Sequence, residues 1–236
     1  MSDATRGELA PGGRLRAALN LSNTLLVSSP GPEPAGVAPD LARELARRAR
    51  ARVEFVTYAN AGLVADAAAA GAWDVAFIGA EPERATEITF TPAYVEIDAT
   101  FIVRGYPDIR SVDEVDRPGM RIASAARAAY TLYLARTLRH AAIVEAEGLP
   151  GAVDLFARSD LDALAGLRPR LLDDLPRLSG ARLLEGRFTA VQQSIAVPRQ
   201  RRAAADYTAA FVDEIKRTGL LSELIDRHGV RGLTIA

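Results

Sequence analysis

The sequence predicts an α/β protein made of two lobes, with mixed sheets, flanking helices and two hinge crossovers. Three observations predict it. Strand-like and helix-like stretches alternate along the first half of the chain. A second alternating set follows. A late strand at Ser194–Pro198 then precedes a helical tail, so the chain has to return from the second lobe to the first. The 236 residues suffice for two small lobes, and with 49% of them apolar a sizeable core can be buried.

The elements follow in order. Residues up to Gly13 are polar and punctuated by Gly and Pro, as in a loose tail. Arg14–Asn20 reads as a first strand, and Ser28–Gly36 as a loop rich in Ser, Pro and Gly. Pro39–Arg48 places apolar residues at helical spacing with arginines opposite, and Arg52–Tyr58 alternates with the period of a strand. The alanine-rich run Leu63–Ala72 reads as a compact helix and Val75–Ile78 as a buried strand. Thr100–Val103 is the next strand, and Ser111-Val112-Asp113-Glu114 has the spacing of a capping box. Met120–Ser124 reads as a strand, Ala128–His140 as a helix, and Val153–Phe156 with Asp160–Gly166 as a further α/β unit. Arg202–Arg227 is an amphipathic helix broken at Gly219. Crossings near Asp98–Thr100 and Val191–Ser194 divide the chain into lobe 1 (residues 1–98 and 192–236) and lobe 2 (residues 99–191).

Composition excludes several classes of function. Lys and Arg number 29 against 30 Asp and Glu, so no basic surplus argues for nucleic acid. The arginines Arg47, Arg48, Arg50 and Arg52 read as a solvated helix face. There are no cysteines, and His140 and His228 are too far apart in sequence for a metal-ligand spacing, so neither metal nor cofactor is expected. Phosphate-binding, dinucleotide-binding and nucleophile-elbow motifs are absent from the sequence, and no nucleophile constellation appears. No stretch is long and apolar enough to insert in a membrane. Met1–Glu8 lacks the basic and apolar regions of a secretory signal; the expectation is a cytoplasmic protein if the chain is complete, and a periplasmic one if a leader was removed.

The most informative stretch is Trp73-Asp74-Val75-Ala76-Phe77-Ile78-Gly79 followed by Arg84 and Glu87-Ile88-Thr89-Phe90-Thr91-Pro92-Ala93-Tyr94. An apolar strand ends in a small-residue turn, and an arginine follows where open α/β sheets place ligands. A guanidinium there suits a carboxylate. Taken alone, Arg84 also fits a solvated helix arginine paired with Glu81 or Glu87. Asn20 fits a cleft residue or a turn residue. Arg127 fits a surface cation or an anion ligand at a helix start. Gln192, at the second crossing, fits a ligand amide or a solvated hinge residue. Trp73, Tyr130 and Tyr133 read as packing, and His140 as a helix-ending imidazole.

This layout resembles the type II solute-binding proteins of bacterial ABC importers, family 3, from about Leu15 to the C-terminus. The strand ending at Asn20, Gly36–Ala42, Asp74–Phe77, Arg84 with Glu87–Tyr94, and Ile195–Pro198 carry the resemblance. It implies a type II periplasmic-binding-protein (Venus-flytrap) fold and a non-enzymatic protein. Such a protein traps a small carboxylate-bearing metabolite, an amino acid or related acid, between two hinged lobes. It would be of the ABC-importer type or a cytoplasmic derivative, with an ABC permease as partner if exported. The resemblance gives Arg84 the α-carboxylate, gives assisting roles to the backbone and small groups near Phe77 and Gly79, and turns Asn20 to the cleft.

The sequence also departs from that family. Where amino-acid binders carry Gly-Ser or Gly-Thr at a second-lobe helix start, this chain has Arg127-Ala128, and where they place an ammonium-binding aspartate it has Leu167. Arg168, before Pro169, is a further candidate at that strand exit. The ligand is then a carboxylate without the amine, or one whose amine is held elsewhere, for example by Glu81 or Asn23. The alternative reading is a cyclohexadienyl dehydratase-like lyase on the same scaffold. A LysR-type effector domain fits less well, because about a dozen residues precede the first strand.

Overall fold

The computed structural model describes residues 1–105 and 109–236. In chain order its elements are α1 (Asp3–Leu9), β1 (Arg14–Asn20), α2 (Val37–Ala49), β2 (Arg52–Tyr58), α3 (Ala61–Asp66), β3 (Val75–Gly79), β4 (Ile88–Phe90) and β5 (Val95–Arg104). Then follow β6 (Arg121–Ala125), α4 (Ala129–Thr137), β7 (Ala142–Ala146), α5 (Gly148–Arg158), β8 (Ala163–Leu167), α6 (Arg168–Asp174) and β9 (Ala181–Leu183). The chain ends with β10 (Thr189–Pro198), α7 (Arg202–Arg217), α8 (Leu220–Arg227) and β11 (Thr234–Ile235). It divides into two compact units, Met1–Glu96 with Gln192–Ala236, and Ile97–Val191.

In the first unit β1 lies between β2 and β3 and is parallel to both, and β10 runs antiparallel on the far side of β3. The period of two in the strands sorts their side chains onto two faces. Leu15, Ala17 and Leu19 of β1 and Val75 and Phe77 of β3 meet a core supplied by α1, α2, α7 and α8. Ala18, Ala76 and Ile78 meet α3 and Trp73 on the other face. The indole of Trp73 donates to the Val64 carbonyl at 2.9 Å, so this ring packs, as expected from the sequence.

The second unit is built on a similar plan. β6 is parallel to β7 and to β8, and β5 runs antiparallel to β8. Ile102, Ala123 and Leu164 form a core with Val153 and Phe156 of α5 and Leu171 of α6. Val153–Phe156 is therefore helix, and the strand that follows is Ala163–Leu167.

Several expectations are corrected. The N-terminal tail is not loose. It forms α1, capped by the Ser2 hydroxyl, with Leu9 in the core. The Glu8 carboxylate accepts the Ala204 N–H at 3.0 Å, satisfying a free donor in the first turn of α7. The alanine run leaves α-helix after Asp66; tight turns such as Gly71 N–H to Ala68 O replace it, with Gly71 at φ 61. The helix expected through His140 ends at Thr137, because the Asp116 carboxylate takes the N–H groups of Arg139, His140 and Ala141 and draws the chain into β7. His140 is thus an exposed loop residue. The capping box at Ser111 and Glu114 is present, but it starts a 3₁₀ turn at Val112–Val115.

Candidate ligand site

Two neighbouring strand ends build the site. In the first unit the chain leaves β1 through α2 to β2 on one side, then crosses through α3 to β3 on the other. The direction of winding reverses between β1 and β3, and the loops at their C-terminal ends diverge there. Open parallel sheets take ligands at such a point. Leu19 lies beside Phe77 in register. Asn20 therefore leaves β1 level with Ile78, and Asn23 and Glu81 follow at equal distances along the two adjacent loops.

Arg84 closes the 3₁₀ turn Pro82–Arg84, which Pro82 helps to preset. It is 6% exposed, and its Nη1 donates to the Gly79 carbonyl at 2.6 Å. At that exposure the side chain is not solvated. A buried guanidinium must be matched by acceptors. The Gly79 oxygen supplies one of them and ties the side chain back to the end of its own strand. The Phe77 side chain points into the core, with its ring edge-on to Tyr94 at 6.4 Å.

Asn20 adopts the turn geometry that is common for asparagine. Its Oδ1 accepts from the Ser22 N–H at 3.1 Å and from the Ser22 hydroxyl at 2.8 Å. The next turn hangs on Asn23, whose N–H donates to the Asn20 carbonyl and whose carbonyl accepts from Leu26 and Val27. Gly36 holds the far end of this loop, with φ 135. A Cβ there would fall 2.3 Å from the Leu26 oxygen, so only glycine lets the loop close against the start of α2. Gln192 joins from β10: its carbonyl accepts the Ala80 N–H at 2.8 Å, and its amide donates to Glu96 at 2.8 Å. Arg84, Gly79, Asn20, Phe77 and Gln192 thus all belong to the first unit.

Arg127 belongs to the second. The winding there reverses between β6 and β8, and Arg127 follows the end of β6, exposed and with φ 58. It precedes α4, whose N-cap Ala128 gives no side-chain hydrogen bond. The buried Ser124 and Thr131 hydroxyls pair at 2.6 Å and tie β6 to α4. At the end of β8 stands Leu167, and Arg168 beside it donates to the carbonyls of Leu184 and Gly186, a structural staple. Two cavities of about 220 Å³ also lie in this unit, one lined by Phe101, Tyr133 and Phe188 and one by Arg104 and Phe156; neither includes Arg127.

The sequence pattern gave Asp74 no role of its own; its fully buried carboxylate is held by the backbone and guanidinium of Arg16 and by Arg201. Among the described residues no cluster of three or more His, Asp or Glu side chains suits a metal ion. No helix among them is long and apolar enough to cross a membrane.

No curated protein matches the chain. Among solved structures, an ancestral amino-acid-binding protein described as a precursor of cyclohexadienyl dehydratase superposes with a TM-score of 0.76 at 19% identity, covering 94% of this chain and 98% of that one. The amino acid ABC transporter substrate-binding protein AbpA from Streptococcus pneumoniae, bound to L-arginine, gives 0.74 at 15%, covering 91% and 94%. An ancestral cyclohexadienyl dehydratase gives 0.54 at 18%, covering 96% and 97%. The fold is thus that of the type II periplasmic binding proteins. The pattern of bacterial extracellular solute-binding proteins, family 3, runs over residues 25–231, and the chain belongs to that family.

Proposed function

We propose that this protein is a non-enzymatic binder of a small carboxylate-bearing metabolite, with Arg84 as the anchor. The observation that carries the reading is the burial of the Arg84 guanidinium at the reversal between β1 and β3, oriented by the Gly79 carbonyl. A planar, two-pronged cation in a protected place favours a carboxylate over neutral ligands. Asn20 and Gln192 shape the surrounding loops. The amino acids named for similar structures, L-arginine among them, are the first candidates. The family's extracellular description supports a place outside the cytoplasmic membrane, with an ABC permease as partner.

The test is a thermal-shift screen against L-α-amino acids, dicarboxylates and aromatic acids. Stabilising compounds are expected to be carboxylates, gaining about 2.7 kcal/mol at a hundredfold excess over Kd. Arg84→Ala should abolish the shift, and Arg84→Lys should weaken binding roughly 10- to 150-fold, the worth of a charge-assisted contact. A compound that stabilises Arg84→Ala as well as the native protein would refute the anchor. Because a cyclohexadienyl dehydratase shares the fold, prephenate and arogenate belong in the screen, and no turnover is expected.

A further inference from the structure

A cavity of about 220 Å³ opens in the second unit at the far end of α4 from Arg127. Arg127 precedes the helix, whereas the cavity takes Tyr133 and Thr137 from its later turns. Its wall is aromatic. The Phe188 ring centroid lies 4.5 Å from that of Phe101 and 6.1 Å from that of Tyr133, with interplanar angles of 31° and 27°. Among the described residues that line it, Asp113 and Asp116 are the only charged side chains. Asp113 stands exposed on the 3₁₀ turn Val112–Val115. Asp116 is engaged by the N–H groups of Arg139, His140 and Ala141, so it adds a field rather than a direct bond. At Thr137 α4 ends, and the carbonyl end of a helix carries partial negative charge.

Packing accounts for the rings, and the turn into β7 accounts for Asp116. Neither accounts for the open space beside them, nor for a lining whose charged side chains are all acidic. Aromatic rings turn a negative face to a cation. Ring faces, carboxylates and helix end therefore favour the same sign. A metal ion is a poor match, because two carboxylates in a largely hydrocarbon wall do not replace its hydration shell. A cation that is weakly hydrated and partly hydrocarbon suits such a wall better. The geometry points to this cavity as a second binding site, for a small alkylammonium ion. The site is independent of the carboxylate reading above, since it shares no residue with it. Arg136, outside the lining, already lies 5.9 Å over the Tyr133 ring, which makes Phe188 the ring to remove in a test.

The probes are choline and neohexyl alcohol, its neutral carbon isostere, each titrated into the full chain and followed by amide NMR. Choline is expected to bind roughly 5- to 30-fold more tightly than the alcohol. The amide signals that move should include those of Val112–Val115 and of the last turn of α4. Phe188→Leu and Asp113→Asn should each remove most of the preference for choline. Asp113 is exposed, so its variant keeps the test open if Phe188→Leu fails to fold. Equal binding of the two probes would reduce the cavity to an apolar hollow and overturn the proposal, as would no binding of choline at millimolar concentration. A preference that persists in both variants, or choline binding that is lost in Arg84→Ala, would place the cation elsewhere and overturn it too. None of these outcomes bears on the Arg84 anchor, which the carboxylate screen tests by itself.

Discussion

Asp74 and Arg84 are both charged, both buried and only ten positions apart, yet they do different things. Asp74 holds the frame: Arg16 donates to it from Nη2 at 2.7 Å and from its backbone N–H at 2.7 Å, and Arg201 from Nη1 at 2.5 Å. Burial alone would push its carboxyl up, but these hydrogen bonds more than offset that and hold it below the usual range. Asp74→Asn keeps the shape and removes the charge. It is expected to destabilise the protein by about 3 kcal/mol, because two arginines lose their counter-charge. Urea denaturation measures this, and a change below about 1 kcal/mol would refute the clamp.

At the scale of elements, α4 starts from a strained residue and without a side-chain cap. Arg127 holds a left-handed conformation that costs a side-chain-bearing residue about 1–2 kcal/mol, and Ala128 at the N-cap offers no side-chain acceptor to the first turn. Ala128→Ser is expected to raise stability by about 1 kcal/mol through a hydroxyl cap. A neutral or negative change in thermal melting would show that the first-turn N–H groups already have partners.

Across the whole molecule, stability should depend on pH through groups spread over both units. Hydrogen bonding to Arg47 first, then to Arg48, holds the Glu44 carboxyl at about 2 against an ordinary 4.5. Asp74 and Asp116 are also lowered, Asp116 by the N–H groups of Ala141, Arg139 and His140 acting against burial. Their folded pKa values lie below the unfolded ones. They therefore stabilise fully above the ordinary carboxylate range, and this is lost as pH falls from 4.5 towards 2. Burial raises Tyr94 and Tyr130 above 10, so their contribution is present below pH 10 and is lost above it. A plot of melting temperature against pH is expected to show a plateau between about 5 and 9 with a fall on either side, and Glu44→Gln should make the acid limb shallower. A melting temperature constant down to pH 3 would contradict these pairings.

The sequence by itself determined the alternation of strands and helices and the return of the chain through a late strand. Each of these is written in local periodicity or in one short segment, so neighbouring residues suffice to show it. The tertiary structure alone decided that α1 is a helix, since its support is Leu9 in the core and Glu8 on a helix nearly two hundred residues later. It also decided that the alanine run breaks early and that β7 exists, because the Asp116 carboxylate draws that segment out of helix. The candidate site divides in the same way. The position of Arg84 after a buried strand was legible in its motif, whereas the burial of Asn23 depends on a loop that closes only because Gly36 lets α2 meet the Leu26 carbonyl. Contacts between distant segments fix burial, and burial decides which polar groups are left to recognise a ligand.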